Sequence, residues 1–107
     1  MSRIEFLPLG SVVLLGGGTK KLMIVTRGLN APRAGSTYFF DYGAIAWPEG
    51  VTGNRMYYFN HDAVAKIFFY GCVGDEEEVI VDALNKYITD HPDLKRISGE
   101  EWNKLPE

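Results

Sequence analysis

The chain is 107 residues long, 46% apolar and 23% charged, with a formal net charge of −3. That length supports one core and not two, and the composition excludes wholesale disorder. The single cysteine, Cys72, excludes an internal disulfide framework and fits a reducing compartment, so a cytoplasmic protein is expected.

Leu7 to Val25 opens the pattern with two short apolar runs, Ser11–Leu15 and Lys21–Arg27, joined by Gly16-Gly17-Gly18. Glycines between aliphatic and β-branched runs predict a hairpin. They do not predict a phosphate loop, which needs its glycines to open a helix, whereas these lead into Leu22-Met23-Ile24-Val25. Residues 28–35, with two glycines, Asn30 and Pro32, read as a loop. Ser36–Trp47 reads as a long strand stopped by Pro48, followed by a turn-rich loop over residues 48–54. Met56–Asn60 is a fourth strand. Asn60-His61-Asp62-Ala63-Val64 suggests one helical turn capped by the Asn60 side chain. Lys66–Tyr70 is a fifth strand.

Asp75-Glu76-Glu77-Glu78 then predicts a helix start, with Asp75 as the cap and acids at the positive end of the helix dipole. Ile80, Leu84, Tyr87 and Ile88 form its apolar stripe, so Ile80, Leu84 and Ile88 are expected to be buried, with Glu76, Glu77 and Asp82 in water. Asp90-His91-Pro92 ends the helix, and Ser98-Gly99-Glu100-Glu101 signals a last turn or two through Trp102 and Leu105. The sum is one α+β domain over 1–107, with a β-rich body (1–74) and an acidic helical C-terminal segment (75–107). The body is expected to be a small twisted antiparallel sheet or half-open barrel of about five strands, with a C-terminal helix. No apolar run approaches a membrane span, and Met1–Gly10 has no signal-peptide pattern.

No catalytic, cofactor or metal constellation emerges. Two histidines and one cysteine fall short of the close pairs of N and S ligands that a zinc site needs. Asn60, His61 and Asp62 read as a structural turn cap. Cys72 reads as a small buried hydrophobe, because no base lies near it in sequence. Lys20, Lys21 and Arg27 form a basic cluster on the body and leave open a nucleic-acid-binding small barrel. Residues 75–107 weigh against that, with four Lys or Arg against ten Asp or Glu. A small ligand binder or enzyme around His61 and Asp62 is a further alternative, which a pocket at that turn would favour. Eleven of the fourteen aromatics lie between Tyr38 and Tyr70. Adjacent pairs such as Phe39-Phe40, Tyr57-Tyr58 and Phe68-Phe69 must put rings on both faces of a sheet, which leaves surplus aromatic surface for a partner.

Leu7-Pro8-Leu9-Gly10-Ser11-Val12-Val13 and Gly17-Gly18-Thr19-Lys20-Lys21-Leu22-Met23-Ile24 carry a family resemblance. Asp41-Tyr42, Pro48-Glu49-Gly50, Phe59-Asn60-His61-Asp62 and the acidic Asp75–Glu78 run continue it in order. The chain resembles a small uncharacterised domain family of Gram-positive bacteria, found near LXG-type toxins of the type VII secretion system. The resemblance implies a non-enzymatic cytoplasmic chaperone or targeting factor, without cofactor, whose partner is a helical toxin segment. A second copy of the chain is the alternative partner, and neither membrane nor nucleic acid is expected. The partner-binding residues expected are Tyr42, Trp47, Pro48, Glu49, Gly50 and Tyr57, with exposed Trp47 as the anchor.

Overall fold

The computed structural model describes residues 3–106. Five strands form one antiparallel sheet: β1 (Val12–Leu15), β2 (Leu22–Arg33), β3 (Ser36–Ala46), β4 (Tyr57–Phe59) and β5 (Val64–Phe69). Their spatial order is β4-β3-β2-β1-β5, so β4 and β5 are the two edges of an open sheet. Two helices follow, α1 (Glu77–Asp90) and the short α2 (Gly99–Lys104). The α+β expectation, with its open-sheet alternative and C-terminal helix, holds.

The glycine run turns the chain between β1 and β2, with the Gly18 N–H donating to Leu15 O at 3.0 Å, and no helix follows it. The loop expected over residues 28–35 is instead strand. β2 runs through to Arg33 and pairs with β3 along its whole length except for one irregularity between Ile24 and Thr26. Two residues, Ala34 and Gly35, make the turn, both at positive φ (53° and 79°), which is the geometry a tight hairpin needs. Pro32 is tolerated because this half of β2 has no neighbour on its β1 side, where pairing stops at Leu22 and Met23. Gly28 is accommodated at φ +63°, and a Cβ there would lie 2.3 Å from Leu84 Cδ2. Its role is to let α1 approach the sheet.

The turn before β5 forms as a single 3-10 turn, His61–Ala63, but the Asn60 side chain does not cap it. The His61 N–H donates to Asp41 Oδ2 at 2.8 Å, so the cap comes from β3. Asn60 instead accepts from the Asp41 N–H (3.1 Å) and donates to Ile97 O (2.9 Å).

Helix α1 begins one residue later than a cap at Asp75 would place it. Its N-cap is Glu76, which makes no side-chain cap bond; the helix opens from a backbone turn in which the Glu77 N–H donates to Gly74 O. The buried stripe is also rotated by one position. Val81 is the buried residue, Leu84 and Ile88 pack partly buried against the core, and Ile80 is 44% exposed. Two polar contacts set this rotation. Asn85 brackets the backbone of Ile4, accepting from its N–H and donating to its carbonyl (2.7 and 2.9 Å). Glu77, expected in water, pairs with Arg27.

The aromatic pairs divide as alternation requires. Phe39 stacks on Tyr87 of α1 at 5.7 Å, whereas Phe40 stacks on Tyr58 and meets Trp102 of α2 edge-on at 5.4 Å. Phe6, Leu7, Val13, Ile24, Tyr42 and Phe59 fill the core beneath α1. Helix α2 opens on a complete capping box between Ser98 and Glu101, and so delivers Trp102 onto Phe40 and Ala31.

Candidate partner-binding surface and the cleft at His61

Strand β3 ends at Ala46, and its exit places Trp47 at the surface with 40% of the residue exposed. The Trp47 N–H donates to Lys21 O at 3.0 Å, and Gly50 N–H returns to Ala46 O at 2.8 Å, so the backbone holding the indole is fixed at both ends. Pro48 and Glu49 are exposed and Gly50 is half-buried. The Glu49 carboxylate accepts from Lys20 Nζ, tying this loop to the β1–β2 turn, and that hydrogen bond holds the Glu49 carboxyl below its usual range. Tyr57 is half-buried against the core and carries Arg55 over its ring at 5.9 Å.

Tyr42 departs from the expected surface. It is fully buried, packed edge-on against Phe6 and tilted against Phe59 within the core beneath α1. Its hydroxyl accepts from the Leu7 N–H at 2.8 Å and lies 2.6 Å from His61 Nδ1. Burial pushes the phenol well above its ordinary range.

The basic cluster divides as well. Arg27 leaves it for the α1 side, where its side chain is 8% exposed and bonded to Glu77. Lys21 stays, with Nζ 5.3 Å from the Trp47 ring centre and 4.5 Å from that of Phe68. Lys66 lies over the same Phe68 ring at 4.8 Å. Sequence reasoning missed Phe68 and Lys66 as members of this surface. The signal was present: residues i and i+2 on a strand share a face, so Lys66 and Phe68 had to point the same way. Cys72 is exposed, not buried, because β5 ends at Phe69 and the chain leaves the sheet before reaching it.

A second feature lies at the His61 turn, where a cleft of about 630 Å³ is lined by Asp41, His61, Asp62, Arg96 and Glu101, among others. The Asp41 carboxylate, 2% exposed, accepts from Arg96 at 2.9 Å and from the His61 N–H. The Tyr42 hydroxyl, which accepts from the Leu7 N–H, also bonds His61 Nδ1 at 2.6 Å and so anchors the imidazole to β3. Asp41, Arg96 and Asn60 also pin residues 96 and 97 to the edge of the sheet. Among the described residues, no group of three or more His, Cys, Asp or Glu is placed to hold a metal ion, and no helix is long and apolar enough to cross a membrane.

These features define a small α+β domain with an open five-stranded antiparallel sheet, an exposed aromatic-cationic strip and a polar cleft at one turn. The chain belongs to the family described as a domain of unknown function, DUF4176, which matches residues 6–80. No curated protein and no solved structure matches it.

Proposed function

We propose that this protein is a non-enzymatic accessory factor of type VII secretion, a cytoplasmic chaperone or targeting factor that holds a helical segment of an LXG-type toxin. The observation that carries the binding reading is Trp47. Its large apolar ring is 40% exposed on a backbone fixed at both ends, so little ordering entropy opposes binding through it. The sequence resemblance supplies the secretion context. The test is binding to the toxin encoded beside the gene. Trp47→Ala should weaken it by about 2 kcal/mol or more, as at an interface hot spot. Normal binding by a folded Trp47→Ala protein would sink this assignment.

The cleft at His61 favours a second reading, a small-ligand site lined by His61, Asp62 and Arg96. A ligand that shifts the His61 ring resonances and is lost in His61→Ala would support it over the first.

A further inference from the structure

Among the described residues, no carboxylate is ion-paired to the positively charged strip around Phe68. Among the described residues, Arg3, Lys20, Arg27, Lys86 and Arg96 each pair with an acid, whereas Lys21 and Lys66 meet only aromatic rings. Phe68 remains 41% exposed beneath the two ammonium groups, and Trp47 remains 40% exposed beside them. An ammonium above a ring still has donors to spare, so this surface is complementary to an apolar group flanked by carboxylates.

The same chain carries such a group. Glu76 precedes Val79 and Ile80 by three and four residues, which puts all three on one face where α1 begins. Val79 is 67% and Ile80 44% exposed, and Glu76 is exposed with Asp75 next to it. Glu77 is committed to Arg27 and Asp82 to Arg3, but among the described residues Asp75 and Glu76 have no basic partner.

We infer that the Lys21–Phe68–Lys66 strip is the docking surface for the opening turn of α1 from a second copy of this chain. Glu76 and Asp75 meet the two ammonium groups, and Val79 and Ile80 cover Phe68 and Trp47. Every copy holds both halves, and the proposed assembly is the closed one, in which two such contacts related by a two-fold axis form a dimer and do not propagate into a filament. The contact shares Trp47 with the proposed toxin surface but does not depend on that proposal.

Sedimentation velocity of the full chain over a concentration series tests it. A reversible dimer that weakens as salt rises is expected. Lys21→Glu/Lys66→Glu should weaken self-association at least about tenfold, and Asp75→Lys/Glu76→Lys should do the same, because each sets like charges together. Mixing the two double variants should restore a heterodimer. All four side chains are exposed or half-buried, so each variant should fold, which melting curves would check. A wild-type chain that stays monomeric at low salt, or reversed variants that dimerise unchanged, would overturn the contact. So would single-stranded DNA bound at the lysines of a chain that remains monomeric. A monomeric wild type leaves the toxin reading standing, because that is measured on another ligand.

Discussion

The Arg27 guanidinium of β2 grips the Glu77 carboxylate at the start of α1 through two hydrogen bonds, of 2.6 and 3.2 Å. Both side chains are largely withdrawn from water, 8% and 18% exposed. The pair joins the helix to the sheet at the end where the chain arrives from β5. Its worth lies in orientation more than in net stability, since desolvating both charges offsets much of their attraction.

Removing one partner is a different matter, because it strands the other. Arg27→Ala is expected to cost about 3 kcal/mol in urea unfolding, as for other broken buried pairs. A loss below about half a kcal/mol, the surface norm, would show the pair to be solvated in solution.

The rotation of α1 makes a paired prediction. Leu84→Ala should cost about 2–4 kcal/mol, because Leu84 packs on the core and reaches over Gly28. Ile80→Ala, at an exposed site, should stay within about half a kcal/mol. Equal losses at the two positions would restore the stripe that simple helical periodicity suggests.

Tyr42 gives a pH dependence. Burial raises its phenol above the ordinary value, so the folded state binds the phenolic proton more tightly than the unfolded chain does. That stability is fully present below about pH 10, the ordinary phenol value, and is lost as pH rises beyond it. Tyr42→Phe should flatten the alkaline loss. At neutral pH it should cost about 1–3 kcal/mol, because Leu7 N–H and His61 Nδ1 lose their partner. Alkaline melting that is identical in the two proteins would assign the loss to another group.

What was legible in the sequence follows from range. Strand β3 and the 3-10 turn were written in local patterns: alternation, a stopping proline and a polar residue before the turn. The continuation of β2 was not, because a proline is a strand breaker only if its missing N–H was needed, and that depends on where β1 stops pairing. The cap of the turn was misassigned to Asn60 for the same reason, since Asp41 lies twenty positions away from His61. The exposure of Trp47 and its loop was legible because a proline follows immediately. Tyr42 was not, since alternation tells which residues share a face without telling which face a helix will cover. Phe68 and Lys66 needed the sheet order that brings β5 beside β1.

That order has a geometric consequence. β4 ends at Phe59 and β5 starts at Val64, yet they are the opposite margins of the five-strand array. Five residue steps reach about 18 Å when fully extended. Four interstrand spacings of about 4.8 Å would hold the margins of a flat sheet about 19 Å apart. Three of the linking residues are wound into a 3-10 turn, which advances only about 2 Å per residue. The tether is therefore too short for a flat array, and the margins must bend toward each other without meeting. Curvature here is dictated by contour length, and inserting residues between Asn60 and Val64 would let the array relax.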